Sequence, residues 1–178
     1  MPTQILRRLA PLLLGAAVLA GAAGCRDEAP AASVEAPAPR TVSDLFTVGI
    51  NGRTVRLQFA VLDAEMQRGL MERRDLGRDE GMIFVYPRPV QQHFWMRDTP
   101  TPLDIGFFTP GGVLAEAYPM YPFDEKTVDS RRTDLQFAVE MNQGWYAANG
   151  IREGARLDMA AVTAALRARG FDPRHFGL

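Results

Sequence analysis

Residues 81–104, GMIFVYPRPVQQHFWMRDTPTPLD, decide the fold class. Met82 to Tyr86 is continuously apolar, the pattern of a strand covered on both sides. Pro87 and Pro89 are expected to end it. His93 to Arg97 alternates, with Phe94 and Met96 on one face and His93, Trp95 and Arg97 on the other. Pro100 and Pro102 cannot donate to a ladder, so pairing is interrupted there. Leu103, Ile105 and Phe107 then form an inward face with Asp104 opposite.

The flanks extend the same pattern. Upstream, Phe46–Ile50 and Arg53–Val61 alternate around Asn51-Gly52, a strong hairpin signal because both turn positions need positive φ. A short helix capped by Asp63 follows, with Leu62, Met66 and Leu70 as its apolar face and Arg73 near its exit. Downstream, Pro110-Gly111-Gly112 turns the chain into a strand over 113–118, and 118–130 is expected to be a long mobile loop. Leu135, Phe137, Val139 and Met141 alternate, leaving Gln136 and Glu140 on the opposite face. Asn142 is placed as the cap of a short helix ending at Gly150, and 154–157 as a last strand. Asp158 caps a final helix with Met159, Val162 and Leu166 as its stripe. The fold class is therefore mainly β (α+β): a small, mostly antiparallel β-barrel of about seven strands with two or three short accessory helices.

The first residues carry an address. Arg7 and Arg8 precede an apolar, uncharged run from Leu9 to Ala23, too short for a membrane span and suited to an export signal over 1–24. Ala22-Ala23-Gly24-Cys25 resembles a lipobox, which makes the single cysteine, Cys25, a lipidation site and the membrane the expected partner. Residues 25–44, rich in Ala and Pro, read as a disordered spacer. The domain proper spans 45–157, with a helix and tail over 158–178. One cysteine supports neither an internal disulfide nor a structural zinc site. A net charge of −1, with no Arg-rich stripe, argues against nucleic acid as a partner.

Several segments together resemble one family. Gly69-Leu70-Met71-Glu72-Arg73, Glu80-Gly81-Met82-Ile83-Phe84, Phe94-Trp95-Met96-Arg97, Pro102-Leu103-Asp104-Ile105 and the stretch from Val139 to Gly144 are similar, in order and spacing, to the domain of unknown function 192 family. The resemblance implies a small β-barrel with accessory helices, often exported, with no established reaction. Asp98 stands where the family usually has Asn, and Arg97 where Lys is common.

Candidate functional residues follow from strand alternation. Trp95, Arg97, Asp104 and Glu140 each point away from the apolar face of their own strand, and Arg73 lies near the end of the first helix. Together they could line a polar pocket for a sugar or another polar envelope component, with the indole as a stacking face. The competing reading pairs Arg73 with Asp104 or Glu140 as a closure of the barrel end, since buried charges persist when paired. A protein partner is the other binding reading. An enzyme acting on envelope carbohydrate through Asp104 and Glu140 is the alternative, and the reading leans away from catalysis. Cu(I) binding through Met and His93 is disfavoured, because His93 and Met96 fall on opposite faces. No phosphate loop, zinc-protease or hydrolase motif is present, and neither cofactor nor metal is expected.

Overall fold

The computed structural model describes residues 40–178, so the expected export signal, Cys25 and most of the expected spacer lie outside the described residues. The elements run β1 (Phe46–Ile50), β2 (Arg53–Ala60), α1 (Asp63–Arg68), β3 (Glu80–Val90), β4 (His93–Phe94), β5 (Leu103–Phe108) and β6 (Leu114–Met120). They continue with β7 (Val128–Asp129), β8 (Leu135–Asn142), α2 (Trp145–Ala148), α3 (Met159–Ala168) and a closing 3₁₀ turn at Pro173–Phe176.

The domain is mainly β and mostly antiparallel. A six-stranded sheet has the order β1-β2-β3-β8-β5-β6, and β4 pairs with β7 as a separate ribbon. The expected hairpin forms, with Asn51 and Gly52 at φ 49° and 81°. Only β2 and β3 are parallel. Parallel neighbours need a crossover, and α1 with the loop after it supplies one.

The sheet does not close through a continuous ladder. Residues 154–157, expected to form a last strand, instead bridge its two edges at one end together with Asp158. The Asn51 amide donates to Arg156 O and the Asp158 amide to Gly49 O on the β1 side, while the Leu114 amide donates to Ala155 O beside β6, each at 2.8 Å. Isolated bridges Ile50–Leu157 and Val113–Arg156 mark the same seam.

Both faces of the sheet are buried. Phe46, Leu57, Phe59, Ile83, Phe137 and Val139 pack under α2, α3 and the 3₁₀ turn through Tyr146, Val162, Leu166 and Phe176. Met82, Phe84, Leu103, Ile105, Phe107 and Ala138 form a second core with Phe94 and Met96 of the ribbon segment and Leu70 after α1. Burying large side chains contributes about 1.5–3 kcal/mol each, so both layers are needed.

Several local expectations change. Pro87 and Pro89 do not end β3, which runs on to Val90. The register shifts between Val85 and Val90, so neither proline is asked for a ladder hydrogen bond. The second strand of the opening stretch is only His93–Phe94, because its partner β7 is equally short. Helix α1 starts after Leu62, and Glu65 rather than Asp63 caps it, accepting from the Val61 and Leu62 amides at 2.9 and 3.1 Å. Asn142 belongs to β8 and donates to Gly77 O at 2.8 Å, leaving Gly144 to cap α2. The 118–130 loop shrinks to 121–127, pinned where the Met96 amide donates to Asp124 O at 2.8 Å. The end of the spacer joins the domain: the Arg40 amide donates to Ala168 O at 2.9 Å, and Gln58 Nε2 to Val42 O at 3.0 Å.

Candidate functional site

The sheet register decides which candidates can meet. Glu140 pairs with Ile105 on one side and Met82 on the other, both members of the second core. Asp104 pairs with Met141, a member of the first core. Cross-strand partners share a face, so Glu140 and Asp104 lie on opposite faces of the sheet.

Glu140 is 4% exposed, and no described residue gives it an ion pair or a hydrogen bond. Burial alone pushes its carboxyl up to about 8. Desolvation disfavours the charged form, and nothing nearby restores it. It lines a cavity of about 230 Å³ together with Phe84, Tyr86, His93, Phe94, Trp95 and Thr99. Burial, and then the Glu140 charge, raise the Tyr86 hydroxyl to about 12.

The ribbon and α1 build the mouth of this cavity. Trp95 is 43% exposed and carries the Arg97 guanidinium 5.5 Å from its ring centroid. Arg97 also stands 3.6 Å from Asp98 and does not line the cavity. His93 Nδ1 lies 2.8 Å from Asp129 Oδ1, and this contact holds the Asp129 carboxyl below its usual range. Arg68 at the rim is 3.1 Å from Glu72.

The other two candidates are committed elsewhere. Arg73 donates from Nε to Asp75 and from Nη1 to Gln58 Oε1, both at 2.8 Å, and so pairs with neither Asp104 nor Glu140. Asp104 Oδ2 accepts from the Gly144 amide at 2.8 Å. Burial raises its carboxyl, opposed by hydrogen bonds from the Gly144 and Tyr146 amides. The expected five-residue pocket therefore resolves into Glu140 and Trp95 at one cavity, with Arg97 stacked outside it and Arg73 and Asp104 apart. Among the described residues, no three His, Cys, Asp or Glu side chains cluster as a metal site. Met96 is buried in the second core while His93 is exposed.

The model of the domain of unknown function 192 family, described as Uncharacterized ACR, matches residues 46–159. The chain belongs to this family. A crystal structure of a protein of unknown function from Novosphingobium aromaticivorans DSM 12444 is 33% identical, with a TM-score of 0.62 over 70% of this chain and 94% of that one. A candidate transcription regulator from Sinorhizobium meliloti 1021 is 27% identical, with a TM-score of 0.61 over 70% of this chain and 97% of that one. No curated protein matches the chain.

Within this domain of unknown function 192, one departure from the family pattern is conformationally mild. Asp98 has φ 52°, and Asn and Asp are the non-glycine residues that enter the left-handed region most readily. The sequence reading missed Tyr86, which shares the Glu140 cavity; its position within an apolar strand concealed it. It also missed a larger cavity, about 660 Å³, which is lined by Arg53, Arg78, Asp79, Asn142, Trp145 and Asn149. Its acid is already engaged: Trp145 Nε1 donates to Asp79 Oδ1 at 2.9 Å, and Asn149 Nδ2 to Trp145 O at 2.9 Å. The smaller cavity, with its unpaired acid, is the better functional candidate.

Proposed function

We propose that this domain is a receptor for a small polar ligand, held at the cell envelope by lipid on Cys25, with the Glu140 cavity as its binding site. The observation that carries this reading is a buried carboxyl with no partner of its own beside an aromatic-lined opening. Structural buried acids are expected in pairs, and this fold pairs even the partly buried Glu65 with buried Arg169, 2.5 Å apart. Glu140 has no equivalent. A perturbed acid in a cleft is a functional-site signature. Trp95 supplies a stacking wall, and the protonated carboxyl can both donate and accept a hydrogen bond.

The envelope address rests on the charged start at Arg7-Arg8, the apolar run to Ala23 and the Cys that follows. Without residues 1–24 the chain keeps 18 of its 20 basic residues against 21 acidic, so attraction to anionic lipid is not what would hold it. A carbohydrate hydrolase using Asp104 and Glu140 as a pair is disfavoured by their opposite faces. The regulator description of one structural relative is not carried over, given the net charge of −1. A protein partner is the second reading, favoured by Tyr121 and Phe123, each 59% exposed on the 121–127 loop.

A small-metabolite and glycan screen on the mature chain tests the reading, with Glu140→Gln and Trp95→Ala as controls. Ligands bound by the native protein and lost in both variants support it. Hits indifferent to both variants refute the site. Loss of fatty-acid labelling in Cys25→Ser, together with release from the membrane, checks the anchor.

A further inference from the structure

We infer that the Glu140 cavity takes an organic ammonium group, a small quaternary or primary amine head, as the missing counter-ion of the buried carboxylate. This deepens the receptor reading and rests on it. Three features of the cavity point the same way.

First, the carboxyl is the one acid lining the cavity, and no described cation pairs with it. The groups around it are accounted for. From β3, Tyr86 faces it with a hydroxyl raised to about 12. From β4, His93 is engaged by Asp129 of β7 at 2.8 Å. From α1, Arg68 stands at the rim, 3.1 Å from Glu72. Across the sheet lie Asp104 and Tyr146, an acid and a phenol, neither of which is a cation. A buried carboxylate needs a positive partner, and a ligand can bring it.

Second, the walls are aromatic. Phe84, Phe94 and Trp95 line the space, and Phe84 meets Phe94 edge-on, with centroids 4.8 Å apart. Ring faces attract cations that have left water, Trp most strongly, and an alkylammonium is the cation that also profits from apolar contact. Arg97 already holds a cation 5.5 Å from the Trp95 ring.

Third, the size is right for a head group. About 230 Å³ lies below the roughly 300–1,000 Å³ of drug-sized sites, so a head group of a few carbons around one nitrogen fits inside it. A sugar ring would present several hydroxyls, whereas the less exposed polar groups of the lining are the Glu140 carboxyl, the Tyr86 phenol and the Thr99 hydroxyl, the last already donated to Arg97 O.

The test is titration calorimetry of the full chain with choline, ethanolamine and glycerophosphocholine. The uncharged choline isostere 3,3-dimethylbutan-1-ol and a monosaccharide panel serve as comparisons. Choline has no proton to lose, so its affinity should rise about tenfold per pH unit up to about 8 and then level as Glu140 ionises. That slope should persist in His93→Gln. The isostere should bind at least about tenfold more weakly, and Glu140→Gln should lose choline by a similar factor. Choline or ethanolamine tighter than glycerophosphocholine assigns a free amine, and the reverse order a lipid head group. Equal binding of the isostere, or no ammonium binding in the millimolar range, overturns the inference. Saccharides that bind and are lost in Glu140→Gln would overturn it while leaving the receptor reading intact. Ligands indifferent to Glu140→Gln would sink both.

Discussion

Replacing Glu140 with Gln should make the ligand-free domain more stable at alkaline pH, although it removes a buried polar contact point. The reason is the proton. The Glu140 carboxyl is raised by burial from an ordinary 4.5 to about 8. Between those values the folded state keeps a proton that the unfolded chain has released, so stability falls as pH rises across that window and levels above it. At about 1.4 kcal/mol per tenfold change in proton affinity, the gap amounts to about 4–5 kcal/mol. That is a large share of the 5–15 kcal/mol typical of a domain, so ligand-free protein at pH 9 should sit close to unfolding. The assay is urea unfolding of native protein and Glu140→Gln from pH 4 to pH 9, with the difference in free energy plotted against pH. Every other titrating group is common to both, so the difference isolates Glu140. It should climb in favour of Gln by about 4 kcal/mol and flatten above about pH 8. Parallel curves, or a Gln variant that is less stable at pH 9 by the about 3–5 kcal/mol lost on breaking a buried ion pair, would refute the reasoning.

Gly81→Ala should destabilise the sheet by about 1–3 kcal/mol or more, read as a lower urea midpoint, because the new Cβ would overlap the Glu140 carbonyl oxygen and crowd Met141 Sδ at 2.6 Å. Arg169→Ala should cost about 3–5 kcal/mol by the same measurement, since Arg169 is buried against Glu65 and Phe59 O, each at 2.5 Å. Asp104→Asn should leave ligand affinity within about twofold of native, because its cavity, shared with Tyr146, opens on the other face. A loss as large as that in Glu140→Gln would show that the two carboxyls act together.

Much of the frame was legible before the structure. The Asn51-Gly52 turn, the buried run at Met82–Tyr86 and the alternation of Leu135–Met141 are local patterns, and local geometry produced them. The joining of the sheet's two edges was less so. Residues 154–158 touch both edges through a few amides, and such a seam has no periodicity to read. The prolines misled because a proline ends a strand only where its ladder needs a donor, and the shifted register after Val85 removes that need.

The candidate site was half legible for a different reason. Alternation correctly put Glu140 opposite Phe137 and Val139, yet alternation within a strand says nothing about which face of a neighbouring strand it joins. That depends on register, and the Ile105–Glu140 pairing separates Glu140 from Asp104. A second core on the polar-looking face of β8 was also invisible, since Gln136 and Glu140 suggest solvent. That face is covered by side chains from α1 and the ribbon, which are far away in sequence.

The most direct measurement of the central claim is the protonation midpoint of Glu140 itself. The side-chain carboxyl carbon can be followed by ¹³C NMR across pH in the ligand-free protein, with Glu140→Gln used to assign the resonance. An unpartnered acid beside an aromatic cavity should titrate near 8. A midpoint at 4–5, that of an ordinary solvated or paired carboxylate, would contradict the account.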